Sequence, residues 1–466
     1  MTDAAAGVVH ALAPFFAPDL SGAYLRALAV PVAETIGMAA AGMLVAFAAG
    51  IPLAVAVATR APGHRLIVGG LSSLRAIPDL TLAILAVVVV GLGPAAGIVA
   101  LALFYTAMIG RVYGDLFAAA HKAPLEALRA TGASRTTIAA YGLIPLTQAD
   151  LLTFGTYAFE CAMRASIIVG AVGGGGIGTE LIGALNALDY HRALTLVLVL
   201  VLLVAGVDGF GVLARRWPRL TLLLLPLGVT ALALNRPPIF ALGHALHTFG
   251  AMLPPHLRPA QLMSLPLLVV QTLAIAGGGT LIGALLAFPA SLVAARGLAP
   301  FALVVAVRRL FDVARAIPEL VFGLMLVISV GIGPLAGAIA LGLHSAGVLG
   351  KLYAESFENV PSAPIDALSA TGARRLSMVA FGFVPLALGP LVAHTLFRLE
   401  WNVRAATVVG LIGAGGVGQA LYEAQQLFFY KEMLAYVLVT WALVAVSDWL
   451  GERLRTRLGW NFVAAG

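Results

Sequence analysis

Long apolar runs, broken by short polar stretches, recur along the whole chain, and most are long enough to cross about 30 Å of hydrocarbon as helices. The first covers 31–59 and stops at Arg60. The second, 66–91, is interrupted by SSLRAIPD, where Pro78 is expected to kink or restart the helix. Further runs lie at 94–119, 146–172 and 193–213, the last ending before Arg215 and Arg216. Leu220–Leu234 is uniformly apolar between Arg219 and Arg236, but at about 15 residues it is marginal for a span. The five-run order then returns at 266–295, 302–331, 334–357, 386–410 and 430–450. The pattern predicts an all-α polytopic membrane protein of about 11 spans.

The second set of runs repeats the first in sequence as well as in hydropathy. RAIPDL at Arg75 returns as RAIPEL at Arg315, a shift of 240 positions. The same shift carries Gly91-Leu-Gly-Pro94 onto Gly331-Ile-Gly-Pro334, Glu160 onto Glu400, Arg164 onto Arg404 and Asp208 onto Asp448. From Arg75 to Gly178 the two copies align without a gap and about two positions in five are identical. The expected organisation is a first repeat over 1–216, a linker helix over 217–240 and a second repeat over 241–466. Five spans alone would invert the second copy; the extra helix makes the repeats parallel, related by an axis along the membrane normal.

One long stretch in each repeat is too polar to lie in lipid. EALRATGASRTTIAAYGLIP, Glu126 to Pro145, returns as DALSATGARRLSMVAFGFVP, Asp366 to Pro385. Each reads as a helix, a turn at Gly132 or Gly372 where the backbone takes positive φ, and a second helix closed or followed by proline. Glu126 and Asp366 are expected near a helix start, where the dipole favours negative charge. Two readings stand for these elbows: amphipathic helices that tie loops to the membrane surface, or a docking site for a two-fold partner in the cytosol.

Composition agrees with a membrane protein: 61% of residues are hydrophobic, 11% are charged and mean hydropathy is +1.00, against about 25% charged in soluble domains. The net charge of +7 reflects basic residues gathered in the loops on the elbow side, among them Arg60, Arg65, Arg135, Arg296, Arg375 and Arg455. That is the positive-inside distribution and not a nucleic-acid surface. It places the elbows and the C-terminus in the cytoplasm and the N-terminus outside. The start of the chain lacks the basic n-region of a secretory signal, so the first span is expected to target the chain.

Catalytic and cofactor signatures are missing. A single cysteine, Cys161, excludes an intrachain disulfide, no His or carboxylate cluster has metal-ligand spacing, and no phosphate-cradling G-x-x-x-x-G-K-[ST] occurs. GGGGIG (Gly173, Gly175, Gly176, Gly178) and GAGGVG (Gly413, Gly415, Gly416, Gly418) have the dinucleotide spacing, but they follow membrane spans instead of strands. They read as a re-entrant or helix-breaking segment. Four charged pairs sit at i,i+4: Arg75 with Asp79, Glu160 with Arg164, Arg315 with Glu319, and Glu400 with Arg404. They read as self-neutralising structural pairs, or as Arg164 and Arg404 facing a translocation pathway.

The elbows resemble the EAA loop of ABC importer permeases. RAIPEL, GxGPxAG, ATGA, the Glu-x-x-x-Arg-Ala run and GAGGxG narrow the resemblance to phosphonate-type permeases, over nearly the whole chain and twice. Glu126, Ala127, Ala130, Gly132 and Pro145 match the EAA pattern; so do Asp366, Ala367, Ala370, Gly372 and Pro385, with Asp for the usual Glu. The resemblance implies two type I permease repeats fused as a tandem dimer, in the inner membrane of a bacterium. It implies a homodimeric ATPase on the cytoplasmic side that holds ATP and magnesium, this chain holding no cofactor itself. A periplasmic or lipid-anchored binding protein would deliver phosphonate, phosphite or phosphate. Import of another small solute such as an amino acid, and ATP-independent secondary transport, are the alternatives. Beside the membrane charges the copies differ, Cys161-Ala162 standing where the second has Trp401-Asn402.

Overall fold

The computed structural model describes residues 17–187, 189–235 and 242–457; the lead-in ahead of Ala17, Arg236 and the end of the expected linker lie outside the described residues. Among the described residues the chain is helical, with one isolated bridge between Arg296 and Ala299 and no sheet. It divides into two compact units, 1–255 and 256–466. Among those residues seven helices are long and apolar enough to cross a membrane, or nine if two bent pairs each count as a span.

The first unit runs α1 (Ala29–Ala58), α2 (His64–Ala76), α3 (Asp79–Val90), α4 (Pro94–Ala119), α5 (Lys122–Ala130), α6 (Ile144–Val169), α7 (Gly176–Asn186) and α8 (Tyr190–Arg216). Its core is the pair α1 and α4, held close by small residues. A Cβ on Gly42 would stand 2.8 Å from Leu101 Cβ, and one on Gly50 would stand 2.9 Å from Ile109 Cγ2. In lipid no water is released when apolar side chains meet, so this close backbone packing supplies the attraction. The marginal apolar stretch is a 3₁₀ turn, Pro218–Leu223, followed by α9 (Leu224–Leu234). It packs on α1, where Gly228 approaches the backbone oxygen of Ala40.

The expected second span is not one helix. α2 and α3 meet at 91°. Pro78 has no N–H to continue the ladder and holds Ile77 extended (ψ 122), so the helix cannot pass through. With 12 residues α3 is about 18 Å long, well short of the hydrocarbon thickness. At the far end of α3, Gly91 and Gly93 make the turn into Pro94, the first residue of α4.

The second unit repeats the order: α10 (Pro259–Ala294), α11 (Phe301–Ala316), α12 (Glu319–Val330), α13 (Pro334–Glu358), α14 (Ser362–Ala370), α15 (Val384–Val409), α16 (Gly416–Gln426) and α17 (Tyr430–Arg457). α10 and α13 form its core through Gly279 against Leu341 and Gly283 against Ser345. Ile317 and Pro318 break α11 from α12 as Ile77 and Pro78 break the first copy.

Candidate functional site

The elbows are built alike. In the first, the Thr131 hydroxyl donates to the backbone oxygen of Leu128 (2.8 Å), Gly132 N donates to Arg129 O (3.0 Å), and Gly132 has φ +75. In the second, Thr371 donates to Leu368 O (2.7 Å), Gly372 N to Ser369 O (3.0 Å), and Gly372 has φ +76. The Ala-Thr-Gly-Ala motif therefore closes the helix twice over, once by a side chain and once by a left-handed glycine. The chain then restarts at Arg135 or Arg375 and runs without a break through a π-turn into α6 or α15. The second helix of each elbow is thus the first part of the following span, and Pro145 and Pro385 lie inside that continuous helix just past the π-turn, neither ending it nor starting a new one as expected.

One face of each elbow packs on the unit and the other is open. Leu125 is buried against Gly142 in the π-turn, and Ile365 meets Gly382 in the same way. Glu126, Ala127, Ala130, Gly132 and Pro145 are all exposed, as are Asp366, Ala367, Ala370, Gly372 and Pro385. The expectation that Glu126 and Asp366 cap a helix start is corrected. They stand in the middle of α5 and α14, neither of which carries an acid in its first turn, so these carboxylates do not serve a helix end.

The glycine segments break the helix. After α6, Gly173 (φ +102), Gly175 (φ +86) and Gly176 (φ +72) turn the chain by 56° into α7, and Gly413 (φ +86), Gly415 (φ +91) and Gly416 (φ +74) break it ahead of α16. Gly178 and Gly418 lie where a Cβ would collide with the backbone oxygens of Ile167 and Thr407. The break frees backbone N–H groups inside the unit. Gly176 N donates to Glu34 Oε2 and Ile177 N to Thr35 Oγ1, both at 2.9 Å. Gly416 N donates to Gln271 Oε1 (3.2 Å) and Val417 N to Thr272 Oγ1 (2.9 Å). Gly93 N also donates to Gly173 O (2.8 Å), joining the Gly-x-Gly-Pro turn to the same break. The latch residues escaped the sequence reading because their two copies are offset by 237 positions, not 240.

The membrane charges pair across helices, which corrects the self-neutralising i,i+4 reading. Arg164 on α6 places Nη2 2.8 and 2.9 Å from the two carboxylate oxygens of Asp208 on α8, and Glu160 takes Arg215 at 2.9 Å. In the second repeat Arg404 pairs with Asp448 and Glu400 with Arg455. The antiparallel helices thus carry two rungs, and between them Gly211 or Gly451 leaves the room that Glu160 or Glu400 occupies. Each carboxylate at i−4 is itself taken by an arginine on the facing helix, so the pairs run between helices and not along one. The 240-residue shift also carries Arg215 onto Arg455 and Gly211 onto Gly451, a signal that was available. Around Pro318 the i,i+4 pattern gives way where the helix is broken; Arg315 faces Asp312 (3.7 Å), and Glu319 faces His344 (3.9 Å).

Trp401-Asn402 marks a real difference between the copies. Asn402 is fully buried and donates to Thr280 Oγ1 (2.9 Å) and Ser345 Oγ (3.0 Å), and Arg398 Nε also donates to Ser345 Oγ (2.8 Å). The corresponding residues of the first repeat are Ala162, Tyr105 and Ala158.

Residues 46–219 and 279–460, together more than half of the chain, each match the family described as binding-protein-dependent transport system inner membrane component. Over 455 residues, 91% of this chain and 84% of the relative, the chain is 31% identical to the phosphate-import permease protein PhnE of Mycolicibacterium smegmatis. Over 207 residues, 44% of this chain and 74% of the relative, it is 37% identical to the phosphite transport system permease protein PtxC of Stutzerimonas stutzeri.

Proposed function

Because this chain belongs to the family of binding-protein-dependent transport system inner-membrane components, we propose that it supplies both permease halves of an ATP-driven importer of phosphorus oxyanions. The observation that carries the reading is the pair of exposed elbows, each fixed by the same threonine and left-handed glycine and each continuous with a long apolar helix. A push on such an elbow is passed directly to the span that follows it. The chain is a multi-pass inner-membrane protein and a transport subunit, not an enzyme. In this reading ATP and magnesium are bound by a homodimeric ATPase whose two subunits each receive one elbow. The N-terminus lies outside, the C-terminus lies in the cytoplasm, and a binding protein, periplasmic or lipid-anchored, loads cargo on the outer face.

The cargo class follows the relatives, whose names give phosphate and phosphite. The membrane arginines do not select it by free charge. Arg164 and Arg404 are each neutralised within their own repeat, so the geometry favours a part in holding α6 to α8 and α15 to α17. Uptake of labelled phosphite by cells carrying this chain with its ATPase and binding protein tests the reading. Competition by phosphonate, phosphite or phosphate but not by methionine supports it; methionine competing alone overturns the cargo class, and uptake independent of ATP overturns the mechanism.

A further inference from the structure

We propose that the first repeat, and not the second, carries a binding site for a tetrahedral phosphoryl oxyanion beneath its elbow. A cavity of about 640 Å³ opens there between the ends of α1 and α4, the helix α5, and the turn leading into α6. Arg60, Lys122, Arg129 and Arg135 line it, against the carboxylates of Asp115 and Glu126. Among the described residues none of these four cations has a carboxylate within 4.0 Å, whereas Asp115 is already held by Arg111 at 3.3 Å. Four cations drawn from three separate elements around one open cavity make a surface that a doubly charged phosphoryl group fits, through charge-assisted bonds to arginine.

The backbone gives an independent reason. Arg60 has φ +51, a conformation that favours glycine. The matching position of the second repeat, set by the Thr35 and Thr272 latch, is Gly297 at φ +87. The first repeat therefore holds an arginine at a position where the turn alone is better served by glycine. Lys122 and Arg129 are likewise replaced, by Ser362 and Ser369, and Ala118 by Glu358, which binds Arg308 at 2.6 Å. Of the four cations only Arg135 has a counterpart, Arg375; a feature needed only to build an elbow would be present in both copies, and the other three are present in one.

Two sources could supply the group: free phosphate in the cytosol, or the headgroup of an anionic phospholipid at the membrane surface. Either would join the end of α1 to the elbow and restrain it. That consequence for coupling rests on the function proposed above; the binding itself does not.

The test uses the full chain in neutral detergent and in nanodiscs, with no transport step. Inorganic phosphate is titrated by calorimetry at constant ionic strength, and retained lipid is counted by native mass spectrometry from phosphatidylglycerol and phosphatidylcholine discs. The variants are Lys122→Ser with Arg129→Ser, which copies the second elbow, and Arg60→Gly, which relaxes the turn. Phosphate binding weakened about tenfold or more in both variants supports the site with a free anion. Retention of phosphatidylglycerol by the native chain, lost in both variants, supports it with a lipid. Neither ligand bound, or both bound equally by the variants, overturns it.

Discussion

The side chain whose surroundings say most is Arg164. In an apolar span an isolated charge is expensive, and its cost is removed here by a carboxylate on the facing helix α8, not by the glutamate one turn away. Removing one partner leaves the other charged in the span, at a cost on the order of 3 kcal/mol. Asp208→Asn and Asp448→Asn are therefore expected to lower the melting temperature of the purified chain by several degrees. The reversed pair, Arg164→Asp with Asp208→Arg, is expected to regain most of the loss. A reversed pair no more stable than Arg164→Asp alone would show that the contact contributes nothing. Gly211→Ala should destabilise too, because its methyl group displaces Glu160.

Among the elements, the elbow and the glycine break are the parts whose geometry is demanding. A side chain at Gly132 meets no neighbour within 4 Å, so Gly132→Val is resisted by backbone conformation alone, about 1–2 kcal/mol. The change should leave helix content intact by circular dichroism while weakening capture of the ATPase in a pull-down; unchanged capture would argue against the elbow as the docking element. At the break, Thr35→Val removes the acceptor for Ile177 N and should cost about 1–2 kcal/mol in thermal unfolding. Glu34→Gln should be tolerated, since Gln271 makes the same bond in the second repeat. Apolar length located the helices well: the expected run 94–119 is α4, and the linker run is α9 with its 3₁₀ lead. The elbow turn was legible because Ala-Thr-Gly-Ala fixes a backbone conformation locally. The break at Pro78 was legible as a kink or a restart of the helix, but its 91° angle was not, since that is set by what α2 and α3 pack against. The partners of Arg164 and of the freed N–H groups were not read, because they depend on which helices become neighbours.

For the whole molecule the central claim is that one chain contributes two like-oriented permease repeats, each turning an elbow to the cytosol. Both family matches and the two compact units agree with duplication, and the extra apolar stretch Pro218–Leu234 is what like orientation requires. Side-specific labelling measures this most directly. With the lone Cys161 replaced by alanine, cysteines are introduced singly as Ser134→Cys and Arg374→Cys, at matched exposed positions of the two elbows. A membrane-impermeant thiol reagent added to intact cells should label neither, and the same reagent added to inside-out vesicles should label both. Labelling of one from outside and the other only from inside would mean that the repeats are inverted, and the account would be wrong.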